Sequence, residues 1–371
     1  MSSSTRRRFM KTQVTALAAP AFLAAQSPND EIRAGIIGVG GRGSALLTRA
    51  AKSPGVKIAA VCDIDEEAQA RAAEIAKDHR PDVLSEYRKL LDRKDIDAVF
   101  IATPVDLHKE MAIAALEVHK HVYLEKPLGR TPEEVAAVMQ AVKSSRGQLQ
   151  TGFQLRYDPA RRSAIEHIHQ GGIGHVAYMQ GNRHTSDLPR ETKWYFDASR
   201  SGNSIVEQAV HIIDLMNWSV QSHPLRVMGS GGINVYRDQP PGRTTYDHYV
   251  CIFEYANNVR LTFTHLFIDP RGFSGISEKV WGSKFAVDLP SGTKYELRPE
   301  SREQSEPIKL WEGERGDMSQ SSVDGFFSHA RNSTEPLNNA MYGKYATLAA
   351  IMGRTAIDEK RIVTWDEVDL G

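Results

Sequence analysis

From Arg33 to Phe153 the chain alternates short apolar runs with amphipathic stretches. The apolar runs Arg33–Val39, Val56–Cys62, Ala98–Thr103, His121–Leu124 and Leu149–Phe153 predict strands. Between them the spacing predicts helices over Ser44–Lys52, Glu66–Lys77, Leu107–Val118 and Thr131–Lys143, with a shorter one over Tyr87–Asp92. Strands alternating with helices at this spacing imply βαβ units and a parallel sheet. Thr131-Pro132-Glu133-Glu134 carries an N-cap, a proline at the first helical position and acids in the first turn. After Phe153 the pattern changes. A helix over Pro159–His169 ends at Gly171-Gly172, and strand-like runs follow at Val176–Asn182, Val227–Val235, His248–Tyr255, Val259–Phe267, Glu278–Trp281, Phe285–Asp288 and Lys294–Leu297. Asn257-Asn258 and Ser291-Gly292 have the composition of hairpin turns, so this second sheet is expected to be antiparallel. A long amphipathic helix is expected over Met341–Ile357, and the hinge between the two patterns near residues 150–155.

Composition adds limits rather than identity. The 371 residues are 41% hydrophobic and 25% charged, which supports a sizeable core and a prior of two domains. Lys plus Arg balance Asp plus Glu at 46 each, so nothing suggests an electrostatic nucleic-acid footprint. Two cysteines, Cys62 and Cys251, make neither a disulfide framework nor a paired zinc motif. The first 28 residues stand apart. Thr5-Arg6-Arg7-Arg8-Phe9-Met10-Lys11 precedes an uncharged stretch rich in Ala and Leu that runs from Thr12 to Gln26. That is a signal-peptide pattern, with small residues suited to cleavage near Ala25. Arg6-Arg7, Phe9 and Lys11 resemble a twin-arginine export signal, which implies a periplasmic or exported protein. The apolar part is too short for a permanent membrane span.

Three groups of residues carry chemistry. Gly38-Val39-Gly40-Gly41-Arg42-Gly43 lies between the first strand and the first helix. The first glycine permits a tight turn, the second lets backbone approach a pyrophosphate, and the third lets the helix pack against the strand. Asp63 follows at the end of the second strand, where an acid can hydrogen-bond the ribose hydroxyls of NAD. Asp63 disfavours a 2′-phosphate while Arg42 could accommodate one, so NAD is preferred and NADP stays open. Second, Glu125-Lys126-Pro127 follows the strand His121–Leu124. Ligands of such sheets bind beyond the carboxyl ends of the strands, which aims Lys126 at the crevice. An ammonium there can hydrogen-bond a substrate hydroxyl and help withdraw its proton. Third, Glu207, His211, Asp214 and Trp218 are spaced 4, 3 and 4 apart and share one face of an expected helix. A polar stripe on so apolar a helix needs partners or a ligand. Proton handling is the first use of this stripe. A metal site competes with it but lacks a tight ligand motif, and a satisfied core histidine is the third use.

These groups, with Ala102-Thr103-Pro104 and His108, together resemble the Gfo/Idh/MocA family across residues 31–371. The resemblance implies an α/β chain with an N-terminal Rossmann domain over 31–153. A C-terminal α+β domain over 154–371 would follow, with an open, mainly antiparallel sheet through which copies associate. It implies NAD(P)-dependent oxidation or reduction of a sugar, polyol or glycoside carbon. Lys126, His211 and Glu207 take the catalytic positions. Glu207 stands where the dehydrogenases commonly carry Asp, and Gln208-Ala209 departs from the usual glycine before the histidine. Thr103, Pro104, His108, Glu125, Lys126 and Gln154 join Gly38, Gly40, Gly41, Arg42, Gly43 and Asp63 as cofactor residues. The tract Thr151–Tyr157 resembles a crossover segment, and its Arg156 joins Asp214 as a substrate residue. Arg183, His184, Trp194 and Tyr195, in a loop-like stretch, have the chemistry to stack on and hydrogen-bond a sugar. An exported protein with a dinucleotide suits a cofactor that stays bound. The leading function is a sugar or glycoside oxidoreductase. The alternatives are an NAD-dependent glycosidase, working by transient oxidation, elimination, water addition and re-reduction, and a non-catalytic sugar or NAD sensor.

Overall fold

The first sheet grows from strands that are apolar on both faces. In the computed structural model, which describes residues 31–186, 193–297 and 306–371, β1 (Ile32–Ile37), β2 (Val56–Cys62), β3 (Asp82–Leu84), β4 (Ala98–Ile101), β5 (His121–Leu124) and β6 (Leu149–Thr151) form one parallel sheet. Its order is β3-β2-β1-β4-β5-β6. The order reverses between β1 and β4, and the crevice above that switch is where such sheets bind ligands. Helices α1 (Gly41–Ala50), α2 (Glu66–Ile75), α3 (Tyr87–Leu91), α4 (His108–Glu117) and α5 (Pro132–Ser144) connect the strands. Thr131 caps α5 by accepting from the Glu134 N–H, with Pro132 in the first turn. Helix α1 begins at Gly41, three residues before the expected Ser44, so the helix opens inside the glycine turn. The twin-arginine motif lies outside the described residues.

After β6 come α6 (Pro159–His169), β7 (Val176–His184), α7 (Ala198–Ser201) and α8 (Val210–Val220). Then follow β8 (Arg226–Gly232), β9 (His248–Glu254), β10 (Arg260–Leu266), β11 (Ile276–Gly282), β12 (Phe285–Asp288), β13 (Thr293–Glu296) and β14 (Ile308–Lys309). The chain closes with α9 (Met318–Asn332), α10 (Ala340–Glu359) and β15 (Val363–Thr364). The second sheet runs β14-β13-β12-β11-β7-β10-β9-β8-β15. Its neighbours are antiparallel except β7 with β10, which is parallel because β7 is inserted between strands that follow it by some 80 residues. The hairpin between β9 and β10 turns at Asn257 and Asn258, both with positive φ. On β9 and β10, Tyr249, Cys251, Phe253, Leu261, Phe263 and His265 point inward while their neighbours are partly exposed, so the sheet is covered on one face.

Helices α8 and α10 supply that cover, and α10 also packs on α5 and β6 of the first sheet. One apolar core therefore runs from Ile37 and Leu124 through Ile213 and Met216 to Phe253 and Phe263. Glu31–Gly371 is correspondingly one compact unit. Among the described residues no helix is long and apolar enough to cross a membrane. Helix α9 was not legible in the spacing. It returns to the outer face of the first sheet, where Phe326 and Phe327 pack on Phe100 and Tyr123 at ring separations of 5.1 to 5.6 Å. Phe326 is 2% exposed, and its truncation leaves a cavity between α9 and β4. Phe326→Ala should lower unfolding stability by about 3–5 kcal/mol, read from urea denaturation; a loss under about 1 kcal/mol would show that α9 is not part of the core.

Candidate active site

The glycine turn has a geometry that the protein alone only half explains. Gly38 has φ +81°, which an L side chain rarely adopts, and a Cβ on Gly43 would overlap the Gly38 carbonyl oxygen. Those two glycines are demanded by the turn and by helix packing. At Gly40 and Gly41 a Cβ would meet nothing within 4 Å, yet both line a cleft of about 620 Å³ at the ends of the strands. Their bareness leaves room for a group approaching the N-terminus of α1, as a pyrophosphate does. Asp63 lies in the same cleft and is anchored by the Val39 N–H at 2.7 Å and the Asp65 N–H at 3.1 Å. Beside it Ile64, 91% exposed, offers an apolar surface. Five buried polar atoms that line the cleft have no partner among the described residues: Arg42 Nη2, Thr103 Oγ1, Gln154 Oε1, Tyr195 Oη and His211 Nδ1. Buried polar groups are ordinarily satisfied, so a ligand rich in polar atoms belongs here. These features fit NAD.

Charge pairs organise the far end. Glu125, 5% exposed, accepts from Arg42 Nε at 2.6 Å. Burial works against the Arg42 charge, and the Glu125 carboxylate and Tyr123 hydroxyl outweigh it, holding the guanidinium charged. Arg42 is thus paired with Glu125. Gly152 lies under Glu125, where a Cβ would strike the carboxylate. Lys126 donates from Nζ to Glu207 Oε1 and to the Glu207 carbonyl, both at 2.6 Å. Both side chains are mostly buried, at 12% and 14% exposure. Glu207 sits in a π-helical turn, Ile205–Ala209, that leads into α8. Such wide turns inside helices recur at functional sites.

His211 opens α8, lines the cleft and meets Phe153 edge-on at 6.0 Å. Burial, then the nearby charges of Lys126, Arg183 and Arg42, push its pKa well below the usual histidine value. The ring is neutral at neutral pH. Trp194 and Tyr195 also line the cleft, from a short 3₁₀ turn. Burial beside Glu207 raises the Tyr195 phenol well above its ordinary value, so it stays an O–H donor.

Several expectations need correction. Arg156 and Asp214, expected to face substrate, are 0% and 1% exposed and bind each other through two hydrogen bonds at 2.8 and 2.7 Å. The Arg156 guanidinium is sandwiched between Trp218 and Tyr342. The stripe of α8 divides because the helix runs inward: Glu207 and His211 reach the cleft, while Asp214 and Trp218 lie deeper against Arg156. His108 borders the cleft, but both ring nitrogens contact backbone carbonyls, Pro127 at 2.7 Å and Thr103 at 3.0 Å. It positions those two turns. Arg183 and His184 end strand β7 rather than a loop, and His184 contacts Ser274 and Thr264. Gly43 acts through packing rather than as cleft lining. Pro104 does line the cleft, beside Thr103. The cleft residues that the sequence did not assign to the site include Gln208 and Arg200. Gln208 accepts from Arg183 Nε at 3.1 Å, and Arg200 pairs with Asp106 at 2.8 Å. Their partners are remote in sequence, so no local spacing signals them.

Known proteins align with this picture. Residues 32–153 match the model of an oxidoreductase family with an NAD-binding Rossmann fold, and residues 161–287 match that family's C-terminal domain. Residues 32–153 are thus an NAD-binding Rossmann domain. The chain is 26% identical over 347 residues to inositol 2-dehydrogenase of Salmonella typhimurium, covering 91% of this chain and 97% of that protein. It is 35% identical over 159 residues to glycosyl hydrolase family 109 protein 1 of Bacteroides fragilis, which is 41% of this chain and 34% of that protein. A solved levoglucosan dehydrogenase in complex with NADH and levoglucosan superposes with a TM-score of 0.78 at 22% identity, covering 90% of this chain and 99% of that one.

Two measurements test the site. Asp63→Ser should narrow the preference for NAD over NADP, measured as a ratio of dissociation constants, by about tenfold or more, roughly 1.4 kcal/mol; an unchanged ratio would remove Asp63 from cofactor choice. The buried histidines 108, 211 and 265 all have lowered pKa values. Protonation therefore favours the unfolded chain, so stability is full above about pH 6.5 and falls below it, by up to about 1.4 kcal/mol per pH unit per histidine. Urea midpoints across that range should show the slope, and His211→Gln should flatten it.

Proposed function

The chain belongs to the Gfo/Idh/MocA oxidoreductase family, and from that premise we propose that it is an NAD-dependent dehydrogenase acting on a CH–OH carbon of a sugar, polyol or glycoside. The observation that carries this is the Lys126–Glu207 contact beside a neutral His211, at the end of a cleft that fits NAD. When bound, NAD supplies the hydride acceptor.

The chain's own residues handle the hydroxyl. An ammonium has three donors, and Glu207 takes two of those on Lys126. The third is free to hydrogen-bond the substrate oxygen and stabilise negative charge as it develops there. Glu207 Oε1 is held by Lys126, while Oε2 has no protein partner among the described residues. Oε2 accepts the hydroxyl proton as the carbinol becomes a carbonyl, and Lys126 remains charged throughout. His211, kept neutral by burial and by the surrounding cations, hydrogen-bonds the same hydroxyl and sets its direction. A protonated histidine would only compete with Lys126 for that oxygen. Glu207, in place of the usual Asp, is carried on that wide turn.

A second reading rests on the partial likeness to a glycosyl hydrolase family 109 protein. In that reading the same residues serve a redox-neutral glycosidase. Product analysis separates the two. Release of nitrophenol from a nitrophenyl glycoside without net NADH supports the glycosidase, and stoichiometric NADH from a free sugar supports the dehydrogenase. The leader fits export with a cofactor that stays bound, since free dinucleotide is not expected to be recycled outside the cytoplasm. Absorbance of the purified, denatured protein would reveal retained NAD. Lys126→Ala should lower kcat/KM by about 10²–10⁴-fold, measured by steady-state NADH formation; turnover within a few-fold of the parent would overturn the mechanism.

A further inference from the structure

Three cations, Lys126, Arg183 and Arg42, act on His211, and two of them have carboxylate partners. Lys126 is paired with Glu207 and Arg42 with Glu125. Arg183 is different. It has no carboxylate partner among the described residues, and its one recorded hydrogen bond runs from Nε to Gln208 Oε1. That contact fixes the plane of the guanidinium, and neither Nη group has a hydrogen-bond partner among the described residues. It also turns the Gln208 amide nitrogen, a donor, away from Arg183, and Gln208 lines the cleft beside Glu207. Tyr195, 2% exposed, lines the same cleft with its hydroxyl buried and unpartnered. The Arg183 charge is felt at both Tyr195 and His211.

This corner is therefore rich in donors, and the Arg183 charge in it has no carboxylate partner among the described residues. A neutral sugar presents hydroxyls that must donate as well as accept, and it leaves the charge uncompensated. A carboxylate accepts only, carries one negative charge, and matches the planar fork of an arginine. We propose that Arg183, held by Gln208 and joined by the Tyr195 hydroxyl, forms a carboxylate subsite, so that the substrate is an acidic sugar of the uronate type. The proposal rests on the dehydrogenase reading for the word substrate, but the subsite itself is a binding property and is tested by binding.

The experiment uses the NADH-loaded full chain and isothermal titration with glucuronate, galacturonate and mannuronate. Each is set against its neutral hexose and the corresponding hexose 6-phosphate. At least one uronate should bind about tenfold or more tightly than its neutral counterpart, as a charge-assisted pair provides. Arg183→Gln should reduce that uronate-to-hexose ratio by about tenfold, with Arg183→Lys restoring only part of it and the NADH affinity unchanged in both. The unchanged NADH affinity shows that the variants are folded. Gln208→Ala, which frees the guanidinium without removing it, should give a smaller loss in the same ratio. Absence of any uronate preference in the parent would overturn the proposal. So would an equal loss for uronate and hexose in Arg183→Gln, or tighter binding of a hexose phosphate than of every uronate. Should no sugar yield NADH while the uronate preference stands, the dehydrogenase reading falls and the subsite survives.

Discussion

Two consecutive residues at the end of β5 hold the site together. Glu125 draws Arg42 from the glycine turn, and Lys126 draws Glu207 from the turn before α8. Adjacent side chains on an extended backbone point to opposite sides, so one strand end can clamp two separate elements. Each pair is largely buried, and burying a charge is costly unless it is matched. Neither pair is best understood as a source of stability. A well-packed apolar pair of similar volume could stabilise as much, whereas loss of one partner would strand a charge. What the pairs provide is position. They fix the Rossmann turn and the second sheet's leading helix relative to one strand end, where hydride chemistry would take place.

The wide turn Ile205–Ala209 is the structural answer to that clamp. In a regular α-helix the carbonyl of Glu207 would accept from a backbone N–H four residues on. Here the Lys126 ammonium accompanies it as donor, and the same ammonium holds the Glu207 carboxylate. One lysine thereby engages both ends of one residue. That double contact holds the ammonium more firmly than a surface ion pair could, because Lys126 cannot swing away without losing both bonds.

Most of the first sheet was legible because parallel strands covered on both faces read as continuous apolar runs. The glycine turn was legible because its requirements are local: a positive φ at Gly38 and a close approach at Gly43. Helix α9 was missed because its apolar set is sparse, Val323, Phe326 and Phe327 in an otherwise polar stretch. Asp317, which caps it through Ser319 and Gln320, was the available signal. The misplacement of Asp214 has a different origin. Helical periodicity correctly placed it on the face of His211, but periodicity says nothing about depth. Arg156 arrives from 58 residues away to neutralise it, and Trp218 and Tyr342 enclose the pair. Gln208 and Arg183 illustrate the same limit, since their contact joins a helix turn to a strand.

The electrostatic pattern also bears on how the histidine and the lysine divide their work in the proposed mechanism. Three cations surround His211, and each lowers its affinity for a proton. A histidine so placed is a poor proton acceptor and a good neutral hydrogen-bond partner. In the proposed mechanism the proton goes to a group that already carries negative charge, and Glu207 is the carboxylate paired with Lys126. The lysine cannot take it, because an ammonium has no lone pair to offer. Placing the carboxylate beside the ammonium in the folded state means that little has to reorganise when a hydroxyl binds alongside them, and a site with little left to reorganise stabilises developing charge most effectively.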